Sequence, residues 1–481
     1  MADLHLIYHA RVFSRQRSCS IKSEIASLGV AVGEGVQSGG IRSWNATAQN
    51  GDSTPLKVTI VGGGFGGLSC AIACKVQGFQ VDVYDQAVEF LRIGDSIGFG
   101  SNSARLFHRW DVGNELEKIS TNMPGIEIYN FDSSEKMLGF DSQNGDAKEK
   151  YGYPALIAHR GDFHQILSRY AVDIGVKLHM ATTVSRYDNT KPSIILESGE
   201  EIESDVVICG DGFKSKGREA VLGYEDRPIH SGYAVYRAYM DGELLKSDAL
   251  AEKFLDNDAI RLFIAPDMHG FVTTLRNGKE VNAVLTHKDE ADIEEGWNKR
   301  GDIKDVLKLT HDWDPAFRRV WELMPLENVI DWKLIYRPCL PQWVSKTGLV
   351  SLMGDAAHPF LSTSVQGASQ AVEDGATIAK CLAKAGKGNV PLALNVFFEI
   401  RHNYVADAQS TGIKQRERWH SLHDRDTKSF KDEFDLNAVS LTNFYLWGND
   451  AEKVVDERWD ELSAIVKLRA TKLTQENGKA S

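Results

Sequence analysis

An α/β fold, with a Rossmann-like parallel sheet, an inserted mixed sheet and a helical C-terminal region, is predicted by three observations. A β-branched run, Lys57 to Val61, meets the glycine turn Gly62-Gly63-Gly64-Phe65-Gly66-Gly67 and then a helical apolar pattern through Leu68, Ala71, Ile72 and Val76. Two further apolar strands, Val206 to Cys209 and Leu349 to Met353, each end in a turn of glycine and aspartate. Between them lie alternating segments such as Ala259 to Ala265 and Val281 to Thr286, which read as half-buried strands.

The first turn has the logic of a dinucleotide site. Gly62 permits the tight turn, Gly64 lets the backbone approach a pyrophosphate, and Gly67 lets the helix pack closely on the strand. Gly78 ends the helix, and Phe79 to Tyr84 forms a second strand that stops at Asp85, placed to accept hydrogen bonds from the ribose hydroxyls. Cys70 and Cys74, four apart on the helix, read as small buried apolar side chains. The second turn, Gly210-Asp211-Gly212-Phe213-Lys214-Ser215 with Arg218, is by itself equally a cofactor contact or a surface β-turn. The third turn, Gly354-Asp355, leads through a loop of hydroxyl residues into a helix opening at Gly367-Ala368-Ser369. A helix N-terminus carries roughly half a positive charge on unpaired N–H groups and can face an anion. The Asp355 carboxylate can accept from sugar-like hydroxyls. Thr363 with Gln366 fits a capping box, with Ser364 the alternative N-cap.

A chain of 481 residues with a formal net charge of −12 has room for several domains and no basic stripe, which argues against nucleic acid as a partner. No apolar run is long enough for a transmembrane segment. The six cysteines form no CxxC pair and no ligand spacing with histidine, so neither a metal nor a disulfide framework is expected. Residues 1–54, rich in Ser, Gly and Arg, read as a mobile extension; a cytoplasmic protein is expected, with a mitochondrial transit peptide the alternative reading of that extension.

The three turns, in this order, resemble the single-component flavin-dependent aromatic hydroxylases, the group A flavoprotein monooxygenases of the salicylate hydroxylase and para-hydroxybenzoate hydroxylase type. Supporting matches are Ile93-Gly94-Asp95-Ser96-Ile97-Gly98 with Asn102 and Arg105, His159-Arg160-Gly161-Asp162-Phe163, Tyr236-Arg237-Ala238, Trp313-Asp314-Pro315, Arg337-Pro338 and Trp343. Two departures stand out: Asp95 and Ser96 replace the usual Ala-Gly, and Ser362 replaces a proline beside the reactive part of the cofactor.

The resemblance implies a glutathione-reductase-type FAD-binding domain from 55–230 and 337–397, a substrate domain at 231–336 and a helical region at 398–481 that caps the cofactor domain or forms a homodimer face. It implies FAD held by Gly62, Gly64, Gly67, Asp85, Gly98, Arg160, Asp211, Gly354, Asp355, Gly367 and Ala368, with Asp211 and Asp355 on opposite sides of the flavin. Arg160 would reach the ribityl or pyrophosphate region; the alternative is a helix-start ion pair with Asp162. Arg237, on a strand from Tyr233 to Tyr239, is the candidate to anchor the substrate in catalysis, the alternative being a solvent-facing strand arginine. His358 would support its turn, and His269 reads as a loop residue. The implied reaction takes NADH or NADPH, O₂ and a small electron-rich aromatic substrate (phenolic, polyketide or alkaloid) to a hydroxylated product through a flavin C4a-hydroperoxide, in secondary metabolism. Other FAD-dependent oxidations, by epoxidation or rearrangement, and a non-catalytic flavoprotein are the competing readings.

Overall fold

The computed structural model describes residues 54–92, 94–122, 125–133, 136–140, 144–289, 300–421 and 446–480. All but the last residue of the expected N-terminal extension lies outside them. A five-stranded sheet runs in the order Val350–Leu352, Val206–Cys209, Lys57–Val61, Gln80–Tyr84, Lys177–His179, every pair parallel. Its inner strands are mostly apolar and almost wholly buried, as expected of a parallel sheet covered on both faces. The helices Phe65–Val76 and Gly367–Ala385 meet at Gly375, where a Cβ would stand 2.7 Å from the Cys70 Cα. Cys70 and Cys74 are buried on this face, as their spacing suggested.

The second sheet has seven strands in the order Ile330–Tyr336, Ile229–Asp241, Glu280–Lys288, Met268–Leu275, Ala259–Ala265, Gly125–Asn130, Lys136–Phe140. It is mixed: Ala259–Ala265 pairs parallel with Gly125–Asn130, and the other pairs are antiparallel. Two of its strands therefore come from before the 231–336 interval. One face is sealed by the helices Ile303–Leu309 and Pro315–Glu322, in a core of Tyr236, Met240, Phe263, Trp313, Phe317 and Trp321. Pro315 sits in the first turn of its helix, and the Asp314 side chain accepts from the Ala316 and Phe317 N–H groups. Because side chains alternate along a strand, Tyr233, Arg237 and Tyr239 point to the opposite face, where they are half-buried.

One expectation is corrected here. His269 lies inside the strand Met268–Leu275, 1% exposed, instead of in a loop. The chain reverses before it, at Asp267, whose φ is 55°.

The C-terminal region is helical over Val390–Ser421 and Ala451–Ala480. It is keyed to the helix Ser101–Arg109 and its C-cap by Arg109 on Asp450 and Glu452 and by the Trp110 indole on Glu452. Among the described residues no helix is long and apolar enough to cross a membrane.

Candidate active site

The glycines of the first turn divide by what demands them. Gly62 has φ of 99°, and a Cβ there would meet the Gly210 carbonyl oxygen at 2.2 Å. A Cβ on Gly67 would meet the Gly62 carbonyl oxygen at 1.9 Å. Both are required by the protein's own packing. At Gly64 a Cβ would have no protein atom within 4 Å. The protein alone gives no reason for glycine there; a ligand approaching the backbone does. Asp85 accepts from the Gly63 N–H at 2.6 Å and from the Ala87 N–H at 2.8 Å, so the expected ribose acid also clamps the turn. His164, which the sequence reading passed over, places Nε2 2.7 Å from the Gly63 carbonyl oxygen, and burial holds its pKa below the ordinary value. Its signal was positional: it lies one helical turn beyond Arg160.

Arg218 fastens the second turn to the third. Its Nε donates to the Ala356 carbonyl at 2.7 Å and Nη2 to the Asp355 carbonyl at 2.6 Å, while Nη1 donates to the Phe213 carbonyl. Burial, and then the neighbouring Arg337, push its pKa down to about 10. Asp211 Oδ2 accepts from the Tyr187 hydroxyl at 2.7 Å and the Lys216 N–H at 3.0 Å. Its other oxygen is buried with no protein partner among the described residues.

Four charged side chains gather where these turns face the seven-stranded sheet. The Asp355 carboxylate and the Arg160 guanidinium are both exposed, and among the described residues neither forms an ion pair or side-chain hydrogen bond with protein. The surrounding protein strips enough water from the Asp355 carboxylate to raise its pKa even though the residue is open to solvent, opposed by His358, Arg160 and Arg218. The same partial loss of water, helped by Arg237, lowers that of Arg160, opposed by Asp95 and Asp355. Arg160 lies over the Phe65 ring at 5.4 Å. Its alternative partner Asp162 is taken by Arg92 at 2.6 Å. Arg237 Nη2 is 2.6 Å from Asp95 Oδ2, and its guanidinium lies 5.4 Å from the Trp332 ring centre. Gly98 borders the same opening: a Cβ there would meet nothing closer than 3.8 Å.

The helix Gly367–Ala385 opens without a side-chain cap at its N-cap residue, Gln366. The expected capping box does not form. Ser362–Ser364 coil into a 3₁₀ turn, and Ser364 Oγ donates to the Leu361 carbonyl and accepts the Gln366 N–H at 3.3 Å. The Thr363 side chain lies outside the described residues. Among the described residues no side chain of the N-cap residue Gln366 screens the helix opening at Gly367 and Ala368.

Beneath this helix lies a buried network that sequence reasoning missed. Asp374 Oδ2 accepts the Gly354 N–H at 2.9 Å and lies 2.6 Å from His358 Nε2, so His358 supports its turn through Asp374. Arg401 donates to Asp374 at 2.8 Å and to Glu373 at 2.7 Å. The other Glu373 oxygen accepts from Asn102 and Asn449. Burial alone would raise the Asp374 pKa, but the charges of His358 and Arg401 and the bonds from His358 and Gly354 hold it below its ordinary value. Two adjacent acids inside an apolar helix were the available signal, since buried carboxylates need partners.

An open glycine turn, an unpaired cation, an unpaired carboxylate and an uncapped helix N-terminus fit a dinucleotide carrying a pyrophosphate, hydroxyls and an electron-accepting ring. The comparisons agree. Residues 55–405 match the FAD binding domain family. Asperlicin C monooxygenase of Petromyces alliaceus is 32% identical over 386 residues, covering 76% of this chain and 81% of the relative. The crystal structure of CtdE in complex with FAD and substrate 4 superposes with a TM-score of 0.76 at 27% identity, covering 86% of this chain and all of that one. A salicylate hydroxylase substrate complex has a TM-score of 0.69 at 20% identity, covering 85% and 98%, a likeness of fold. The chain belongs to the FAD-binding-domain family and is one of its FAD-dependent monooxygenases.

Proposed function

We propose that this enzyme uses NAD(P)H and O₂ to hydroxylate a neutral, electron-rich aromatic or heteroaromatic substrate of the phenolic, polyketide or alkaloid kind. The observation that carries the reading is the group of Arg160, Asp355, Asp95 and Arg237 between the cofactor turns and a half-buried aromatic sheet face that includes Tyr233, Phe271 and Trp332. FAD, when bound, supplies the acceptor for hydride and the centre at which dioxygen is activated.

The chain's own residues then have separable tasks. Asp355 accepts from cofactor hydroxyls, and Arg160 offsets anionic charge beside it. Gly64 and Gly98 leave room for the ligand to reach the backbone, and the helix dipole at Gly367 favours negative charge on the bound ring. Arg237, held by Asp95, keeps N–H donors free for a neutral acceptor on the substrate. Two cations balanced by two carboxylates give little attraction for an aromatic acid, which favours a neutral substrate. The secondary-metabolism setting is supported by the relative named for asperlicin C. The compartment we propose is the cytoplasm.

The test is NADH and NADPH oxidation by FAD-reconstituted protein across a panel of phenols, indoles and aromatic acids, with products read by mass spectrometry under isotope-labelled dioxygen. Stimulated oxidation with label incorporated from a neutral aromatic is expected. No stimulation by any member would overturn the catalytic reading in favour of a non-catalytic flavoprotein.

A further inference from the structure

Between the buried Ser364 and Gln366 stands Val365, 61% exposed, with φ of 51°. Seven non-glycine residues have positive φ among the described residues, and the other six are Asp111, Ala181, Ser247, Asp267, Arg276 and Asn277. Val365 is the one with a β-branched side chain, the type for which the left-handed region is most crowded. Glycine would make the same turn without that crowding. The strained side chain is not compensated by burial in the core. Its Cγ1 lies 3.8 Å from the point where a Gly98 Cβ would stand, so it borders the opening beside Gly98. It also immediately precedes the uncapped helix opening at Gln366 and Gly367. Strain that folding does not explain points to a role in the site.

We propose that Val365 is the apolar wall of the oxygenation site: its side chain packs against bound FAD and keeps water from the edge where oxygen is transferred. This rests on the reading of the cleft as the FAD site of a monooxygenase. Neighbouring Ser362 and Ser364 are polar, so the valine supplies the hydrocarbon surface on this loop that a dry site needs. Ser362 stands where relatives of the resembling family carry proline, and Val365 gives the loop an apolar contact that serine cannot.

Val365→Gly, Val365→Ala and Val365→Ile, each in the full chain, separate this role from a structural one. Removing the crowding should raise the thermal midpoint of apo Val365→Gly by about 1–3 °C. In the FAD-loaded proteins, iodide quenching of flavin fluorescence should rise at least twofold for Val365→Gly, less for Val365→Ala, and stay at the wild-type value for Val365→Ile. Unchanged quenching in a Val365→Gly protein that holds FAD overturns the proposal, as does a lowered apo midpoint, which would make Val365 a packing residue. If wild-type and variant alike retain no FAD, the cofactor reading itself has failed.

Discussion

Arg237 Nη2 lies 2.6 Å from Asp95 Oδ2, so the cation proposed to anchor substrate is already paired. The partner is the residue at which this chain departs from the resembling family's Ala-Gly. Arg237→Ala should raise KM for the aromatic substrate about 10-fold or more, the worth of a charged hydrogen bond, with FAD content unchanged. Asp95→Asn should release the cation and improve turnover of aromatic acids relative to neutral substrates. An unaltered KM in Arg237→Ala would return this side chain to the role of a strand arginine.

Asp355→Ala should purify without flavin, because among the described residues the other carboxylate acting on Arg160, Asp95, is paired with Arg237. The ratio of absorbance at the flavin band to that of the protein reads this directly. Full retention sinks the assignment of Asp355.

Arg401→Met should cost about 3–5 kcal/mol, since it leaves Glu373 and Asp374 buried without their cation. Denaturant unfolding measures the loss. Adding Glu373→Gln and Asp374→Asn should recover part of it, because the unpaired charges are then gone; a triple variant no better than the single one would refute the charge argument.

His269 Nδ1 lies 3.0 Å from His420 Nε2, and both rings are buried. Burial, followed by His420, holds His269 well below its ordinary pKa; burial, followed by Arg416, pushes His420 down to about 4. Above pH ~6.5, where an unfolded histidine is also neutral, the pair carries no penalty. As pH falls from about 6.5 towards 4, the unfolded chain takes up protons that the folded pair refuses, and stability is lost. His420→Gln should flatten the fall in thermal midpoint across that window. Parallel curves for wild type and variant would exclude the pair as its source.

Several elements were legible in the sequence because apolar runs met glycine and aspartate. Lys57–Val61, Val206–Cys209 and Ala259–Ala265 have the bounds that pattern suggests. The addition of Gly125–Asn130 and Lys136–Phe140 to the second sheet was not, since an edge pairing is decided by the partner strand and not by local periodicity. At the site, residues that face one another over short turns were readable, and Arg160 and Asp355 are open as their motifs imply. Arg401 and Asn449 were not, because they reach the site from distant parts of the C-terminal region. Ser364, Thr363 and Gln366 satisfied a capping pattern that the left-handed turn at Val365 prevents from forming.

The interleaving of the two sheets constrains the order in which the chain can fold. Lys57–Val61 waits for Val206–Cys209, which in turn waits for Val350–Leu352, and Gly125–Asn130 waits for Ala259–Ala265. During synthesis the seven-stranded sheet therefore lacks a strand until the chain has passed residue 336, and the five-stranded sheet until it has passed residue 352. Such long-range parallel pairings are slow to form and leave nascent chains open to aggregation. A ribosome pause or a temperature upshift before that point should cost soluble yield more than the same perturbation after it.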